Sequence, residues 1–140
     1  MFILREGNIL DSDAEILTNT VNCVGVMSKG IALQFKQRYP EMFADYVIRC
    51  KRGEVRPGAP YLYGRILNFP TKDHWKQPSK LEWIDSGLEW LSQQEFESIA
   101  IPPLGCGLGG LRWPDVVALI KRHLSDSTME IHVYAPVTPR

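Results

Sequence analysis

Residues 98–111 read Ser98-Ile-Ala-Ile-Pro-Pro-Leu-Gly-Cys-Gly-Leu-Gly-Gly-Leu111, an apolar run followed by four glycines in six residues. The run at 98–104 is typical of a strand that is buried on both faces of a sheet. A helix is predicted from Trp113 to His123, because Pro114 suits the first turn of a helix. Strand, glycine-rich turn and helix in this order indicate an α/β protein.

The same alternation of strands and helices continues through the rest of the chain. The predicted strands occupy residues 2–5 with 8–10, 15–21, 61–69, 98–104 and 129–137. The predicted helices occupy residues 30–39, 41–51, 79–93 and 113–123. We therefore expect a mainly parallel or mixed sheet, covered by helices on both faces, in one domain of residues 1–140.

Composition excludes several classes of protein. The chain has 44% hydrophobic residues and 16 basic against 16 acidic residues, with no apolar run near the length that crosses a membrane. The first residues lack the features of a secretory signal, so we expect a cytoplasmic protein and no membrane. Three cysteines and three histidines show no metal-ligand spacing, so we expect no metal and no disulfide framework.

The zero net charge hides an uneven distribution along the chain. Residues 1–27 carry a formal charge of −3, residues 28–80 carry +7, and residues 81–140 carry −4. A folded chain can mix such segments in space, so the pattern alone does not indicate a polyanionic partner.

The segment after the second predicted strand runs from Asn22 through Gly25 to Gly30, where a helix is predicted to begin. Free N–H groups at a helix start can bind phosphate. The alternative is an ordinary loop in which the glycines only supply positive φ. The Asn22 amide suits a ribose diol, although asparagine also ends strands for local reasons.

The glycine-rich loop, residues 105–110, lets the backbone approach a ligand closely or form an anion nest. Its spacing matches neither a P-loop nor a dinucleotide-binding fingerprint. Together with the segment at 22–33 it could hold a pyrophosphate from two sides. Cys106 invites interpretation as a nucleophile, but no histidine is near it in sequence, so a buried structural thiol is favoured.

The segment 68–80 interleaves lysines with His74 and Trp75, as single-stranded nucleic-acid sites do. The alternative is a solvated loop, which also accounts for His74. Ser79 and Glu82 form a predicted capping box, which places Lys80 in the first helical turn. There the helix dipole disfavours an ammonium, so a neutral amine could act as nucleophile or base. An ordinary surface lysine is the alternative.

With these segments in place, the chain resembles a macrodomain, the ADP-ribose-binding fold. The resemblance runs from Arg5-Glu-Gly-Asn-Ile9 through Thr20-Val-Asn22 and the glycine-rich loop to the last strand. It implies a three-layer α/β/α sandwich with a mixed central sheet, and ADP-ribose bound across the carboxyl ends of the strands.

Further stretches are similar to one branch of this family. Met27-Ser-Lys-Gly-Ile-Ala-Leu-Gln-Phe-Lys36, Asn68-Phe-Pro-Thr-Lys72 and Gly105-Cys-Gly-Leu-Gly109 look like the terminal ADP-ribose glycohydrolases. Thr71-Lys-Asp-His-Trp75 followed by Ser79-Lys-Leu81 is most similar to the DarG-type antitoxin macrodomains.

The resemblance implies a set of site residues. Those expected around ADP-ribose are Asn8 and Ile9 at the adenine, Thr20, Val21, Asn22 and Thr71 at the distal ribose, and Gly30, Ile31, Gly105, Cys106, Gly107, Leu108 and Gly109 at the pyrophosphate. Lys80 matches the catalytic lysine. The residues expected to contact DNA are Lys29, Lys72, His74, Trp75 and Lys76.

The resemblance also implies an activity. DarG-like domains remove ADP-ribose from thymidine in single-stranded DNA, a form of DNA repair that reverses a DarT-like toxin. ADP-ribose would be ligand and product, with no cofactor. Such domains form the N-terminal part of a longer antitoxin. A non-hydrolytic ADP-ribose-binding module and a hydrolase of ADP-ribose on protein carboxylates are the alternatives.

Two positions depart from the family pattern. Many macrodomains carry Asp where Asn8 stands, so an amide or the backbone would have to recognise adenine. The protein-directed relatives carry Asp where Gly109 stands. Lys80 would therefore work with water, substrate phosphate or the backbone.

Overall fold

The computed structural model describes residues 1–136 and contains six strands and four α-helices in that range. The strands are β1 (Phe2–Arg5), β2 (Ile16–Val21), β3 (Tyr61–Tyr63), β4 (Ile66–Pro70), β5 (Ser98–Ile101) and β6 (Glu130–Tyr134). The helices are α1 (Gly30–Arg38), α2 (Pro40–Lys51), α3 (Leu81–Ser92) and α4 (Trp113–Leu124). Two short 3-10 helices cover Ile9–Asp11 and Gly107–Gly109.

The strands form one mixed sheet in the order β1-β6-β5-β2-β4-β3. All neighbouring pairs are parallel except β3 with β4, which is antiparallel. β5, β2 and β4 are therefore adjacent in the middle of the sheet, and their carboxyl ends lie at one edge. Ligands of such sheets bind beyond that edge.

Each face of the sheet has its own apolar core. On one face, α1 and α2 contribute Phe35, Met42 and Tyr46 to a cluster with Leu17. On the other face, α3 and α4 form a second cluster, whose helical members include Ile84, Leu88, Leu91, Val116 and Ile120. Helices therefore cover both faces, and the predicted three-layer sandwich is confirmed.

Helix α3 approaches the sheet closely at Gly87. A Cβ atom there would lie 2.1 Å from Cζ of Phe69, in the middle of β4. Only a glycine allows this distance, because the ring is itself fully buried and has no space to move away. This packing holds the middle of α3 close to β4.

The three helix predictions at 30–39, 41–51 and 113–123 are confirmed to within one residue. Three strand predictions are wrong in part. Residues 8–10 are not a strand, because the Asn8 side chain accepts the Leu10 N–H and caps a 3-10 helix instead. Residues 61–69 form a hairpin that turns at Gly64, whose φ is +56°. The strand at 98–104 ends at Ile101, before two prolines.

Two further boundaries differ from the prediction. Ser79 is not the N-cap of α3; Lys80 occupies that position with extended φ and ψ of −120° and 140°. The leucine and isoleucine side chains at helical spacing in α3 are buried at Ile84, Leu88 and Leu91, whereas Leu81 is exposed. The last strand covers Glu130–Tyr134 rather than 129–137, and Val137 lies outside the described residues.

No helix within residues 1–136 has the length and apolar character that crossing a membrane requires.

Candidate active site

The carboxyl ends of β2, β4 and β5 open into a cleft of about 950 Å³. Three loops line it: the β2 loop (residues 22–29), the β4 loop (residues 71–80) and the glycine-rich loop that follows β5. The structure thus brings together the three segments that the sequence singled out. The volume is in the range of sites for nucleotide-sized ligands.

Most of the residues expected around ADP-ribose line this cleft. They are Thr20, Val21, Asn22, Gly30, Ile31, Thr71, Gly105, Cys106, Leu108 and Gly109. Three expected residues lie outside the lining: Asn8, Ile9 and Gly107. Ile9 is buried in the core, and the Asn8 amide donates to Oε1 of Gln34 at 2.8 Å.

The Asn22 side chain forms hydrogen bonds that hold its own loop in place. Its Oδ1 accepts from the N–H groups of Val24 and Val26 and from the Tyr46 hydroxyl, and its Nδ2 donates to the Val26 carbonyl. Burial raises the pKa of the Tyr46 hydroxyl well above its ordinary value, so this donor stays protonated. The side chain expected at a ribose therefore shapes the β2 loop.

The start of α1 forms one wall of the cleft. Its first residue, Gly30, has φ +58°, and the N-cap residue, Lys29, makes no side-chain hydrogen bond to the helix. No acidic residue lies in the first turn. The N–H groups at this end therefore remain available to an anionic group, with the positive end of the helix dipole behind them.

Lys72 joins the two other loops across the cleft. Its Nζ donates to the carbonyl of Trp75 and to the carbonyl of Leu108, both at 3.2 Å. The Ser79 N–H also donates to the Gly109 carbonyl at 2.9 Å. Lys72, which is expected to contact DNA, therefore fixes the distance between the β4 loop and the glycine-rich loop.

The rim of the cleft carries exposed apolar and basic groups. Trp75 is 46% exposed and Leu108 is 75% exposed. The ring of His74 stacks on Trp75 with 5.5 Å between centroids, and Nζ of Lys76 lies 5.1 Å from the Trp75 ring centroid. Lys29 and Lys76 line the cleft, whereas His74 supports Trp75 from outside the lining.

Only some of the basic residues in the segment 28–80 lie at this rim. Arg38 pairs with Asp11, Arg49 pairs with Asp45, and Arg65 donates to backbone carbonyls. The cleft-lining bases of the segment are Lys29, Lys72 and Lys76. The +7 segment therefore supplies a few lysines to the cleft and uses several arginines to hold the fold.

Lys80 lies at the edge of the cleft but does not line it. Its side chain is 60% exposed and follows helix α3, with Nζ 3.9 Å from Oε1 of Glu82 and 5.2 Å from the ring centroid of Trp83. Its neighbours Pro78 and Ser79 do line the cleft. Lys80 is therefore adjacent in the chain to residues that line the cleft.

Nine residues that line the cleft were not expected from the sequence: Val26, Ser28, Ala32, Gln77, Pro78, Ser79, Pro102, Pro103 and Gly110. Ser79 stands out because it was assigned to helix capping. Its side chain is buried, and its Oγ has no hydrogen-bond partner in the described structure. No signal in the sequence separates such a serine from an N-cap.

The cysteines lack the features of activated nucleophiles. Burial raises the pKa of Cys106, whose thiol lies 3.7 Å from the Leu104 carbonyl, and the pKa of Cys23 to about 12. These thiols are therefore neutral near pH 7. The interpretation of Cys106 as a structural thiol is consistent with this environment. Within residues 1–136 no cluster of histidine, cysteine, aspartate and glutamate side chains could hold a metal ion.

Comparison with known proteins identifies the class to which this fold and cleft belong. The family model for the Macro domain matches residues 18–120, and the chain belongs to this family. The solved structure of the macrodomain of Mycobacterium tuberculosis DarG has a TM-score of 0.94 and 46% identity, covering 98% of this chain and 99% of that one. The expected kinship with DarG-type macrodomains is confirmed.

Two further relatives are longer proteins. The DNA ADP-ribosyl glycohydrolase of Thermus aquaticus is 45% identical over 144 residues, which cover 94% of this chain and 40% of that protein. The solved structure described as Thermosipho africanus DarTG in complex with ADP-ribose is 37% identical with a TM-score of 0.93, and the match covers 99% of this chain and 42% of that one. This chain thus spans about two fifths of their length.

Proposed function

We propose that this chain removes ADP-ribose from thymidine in single-stranded DNA and thereby counteracts a DNA ADP-ribosyltransferase toxin of the DarT type. The observation that carries the proposal is the position of Lys80, an exposed amine at the edge of a nucleotide-sized cleft with lysines and a tryptophan on its rim. Relatives whose names include DNA ADP-ribosyl glycohydrolase support it, as does a fusion of that activity with a transferase.

In this proposal the cleft binds the ADP-ribosyl group before any chemistry. The start of α1 and the glycine-rich loop bind the diphosphate through backbone N–H groups, and Thr71 and Thr20 lie towards the distal ribose. An adenine contact at Asn8 requires that its amide exchange the Gln34 hydrogen bond for one to the base.

The reaction step assigned to Lys80 is attack on, or polarisation of, the anomeric carbon that is bonded to the thymine nitrogen. In the attack form, the neutral amine nitrogen bonds to this carbon while the bond to thymine breaks, and the proton lost by the new secondary ammonium passes to the thymine nitrogen. Water then releases ADP-ribose and restores the lysine.

The rim accounts for recognition of the strand. Trp75 can stack on an unpaired base, and Lys29 and Lys76 can lie against phosphates on either side. Few lysines are involved, so we expect weak, salt-sensitive DNA contact, with most of the affinity supplied by the ADP-ribose cleft.

A comparison of two substrates tests this proposal. Wild-type protein is incubated with a single-stranded oligonucleotide carrying ADP-ribose on thymidine and, in parallel, with a protein carrying ADP-ribose on carboxylates. We expect release from the DNA at a rate at least about a hundredfold above that from the protein. Equal or faster release from the protein would make the chain a protein-directed hydrolase. Tight binding without release from either substrate would make it a binding module.

A further inference from the structure

Ser79 carries a polar group that the folded protein does not use. The residue is only 6% exposed, and its Oγ is buried without a hydrogen-bond partner in the described structure. A buried hydroxyl in this state destabilises the protein, because it has lost its hydrogen bonds to water without replacement. Native structures keep few such groups, and each calls for an explanation.

The backbone around Ser79 holds this hydroxyl in one place. The Ser79 N–H donates to the Gly109 carbonyl at 2.9 Å, and Lys72 ties the same two loops together a short distance away. Ser79 lines the cleft together with its neighbour Pro78, whose ring restricts the chain further. The hydroxyl is therefore positioned at the cleft before a ligand arrives.

Gly109 leaves the space that the Ser79 hydroxyl occupies. A Cβ atom at position 109 would lie 2.6 Å from Oγ of Ser79 and 3.2 Å from its Cβ. The φ angle of Gly109 is outside the left-handed region, so its backbone does not call for glycine. The absence of a side chain at 109 is explained by the room that Ser79 takes.

We propose that the Ser79 hydroxyl is a ligand-binding residue that makes its missing hydrogen bond to the distal ribose of the bound ADP-ribosyl group. This inference rests on the proposed function, under which Lys80 reacts at the distal ribose. Ser79 directly precedes Lys80 in the chain and lines the cleft beside Gly109. A ribose hydroxyl can both donate to and accept from the serine, so one contact satisfies both groups.

The test is the Ser79→Ala variant, measured by calorimetric titration with ADP-ribose and with ADP, which lacks the distal ribose. We expect the affinity for ADP-ribose to fall about tenfold and the affinity for ADP to stay within about twofold. The melting temperature of the free variant should equal or exceed that of wild type, because the unpartnered hydroxyl is gone. Ser86→Ala, an exposed serine on α3, is the matched control and should change none of these values.

Three results would overturn the inference. Unchanged ADP-ribose affinity in Ser79→Ala would show that the hydroxyl contacts no ligand. Equal losses for ADP and ADP-ribose would remove the assignment to the distal ribose. A lower melting temperature of the free variant would show that the hydroxyl serves folding. Failure of wild-type protein to release ADP-ribose from DNA would overturn the proposed function instead, without altering these binding comparisons.

Gly109→Ala provides a second, independent variant. Its new Cβ would displace the Ser79 hydroxyl, so it should lower ADP-ribose affinity about as much as Ser79→Ala does. In the Ser79→Ala background it should add less than about a twofold loss, since the closest contact is then 3.2 Å to the Cβ of residue 79. If the two losses of ADP-ribose affinity multiplied in the double variant, the two substitutions would act independently. That result would contradict the view that both act through the Ser79 hydroxyl.

Discussion

The β2 loop and the β4 loop follow neighbouring parallel strands, yet they use buried polar side chains in opposite ways. In the β2 loop, the Asn22 amide makes four hydrogen bonds, to its own loop and to Tyr46. In the β4 loop, Ser79 is equally buried and its hydroxyl has none. Both side chains line the same cleft.

The difference separates residues that build the cleft from residues that serve its ligand. A polar group with filled hydrogen bonds contributes to folding, and its removal leaves its partners unsatisfied. A buried polar group without a partner costs stability in the free protein and is useful only when a ligand fills it. Variants in the β2 loop should therefore lose stability, and variants in the β4 loop should lose binding or catalysis.

Asn22→Ala should have the largest effect on stability. It leaves the N–H groups of Val24 and Val26 without their side-chain acceptor, which we expect to cost about 2 kcal/mol in the free energy of unfolding. The Tyr46 hydroxyl keeps the main-chain carbonyl of residue 22 as its acceptor. Urea denaturation measures this value, and Asn22→Asp, which keeps the acceptor oxygen, should lose less. If Asn22→Ala kept wild-type stability but bound ADP-ribose more weakly, Asn22 would be a ligand-binding residue, and the contrast between the two loops would be wrong.

Tyr46→Phe should have a smaller effect, about 1 kcal/mol, and a distinctive pH dependence. Burial raises the pKa of the Tyr46 hydroxyl above the ordinary value of 10.0, so the folded state favours the protonated form. The stabilisation is complete below pH 10 and declines as the pH rises above it. Thermal melts between pH 8 and pH 11 should show a shallower decline for Tyr46→Phe. Equal declines in the wild type and in Tyr46→Phe would show that ionisation of Tyr46 does not contribute to the loss of stability at high pH.

Tyr61 and Cys23 should also contribute to the loss of stability at alkaline pH. Burial raises the pKa of each to about 12, so both contribute to the loss of stability at high pH in the wild type and in Tyr46→Phe. Some decline should therefore persist in the variant, beginning near pH 9 with Cys23, whose ordinary pKa is 9.0.

Lys76→Ala should have the smallest effect, and that effect should be confined to binding of the DNA strand. Its ammonium lies at the rim beside Trp75, so its removal should weaken binding of modified single-stranded DNA about twofold to threefold and leave free ADP-ribose unaffected. The slope of log affinity against log salt should become shallower by about 0.7. Lys121→Ala, an exposed lysine on α4, is the control. An unchanged salt slope in Lys76→Ala would show that Lys76 does not contact the DNA strand.

The sequence predicted those parts of the fold that local signals determine. The helices were found from their periodicity and from prolines at their starts, and the loops from their glycines. The hairpin at Gly64 was missed because long-range contacts hold its turn, where Arg65 donates to the carbonyls of Ser12 and Ala14. Such contacts leave no local pattern in the sequence.

The candidate site shows the same limit. Its loops could be located because glycines and polar residues follow apolar strands. The roles of Asn22 and Ser79 could not be separated, because each depends on a partner far along the chain, Tyr46 in one case and Gly109 in the other. The capping pattern of Ser79 with Glu82 was misleading, since tertiary packing against Gly109 turned the serine away from the helix start.

Release of ADP-ribose from a thymidine-modified oligonucleotide by Lys80→Ala tests the central claim most directly. We expect the rate of release to fall about a thousandfold or more, with ADP-ribose affinity within several-fold of wild type, because the cleft itself is left intact. Turnover by Lys80→Ala at the wild-type rate would contradict the assignment of this lysine to the reaction.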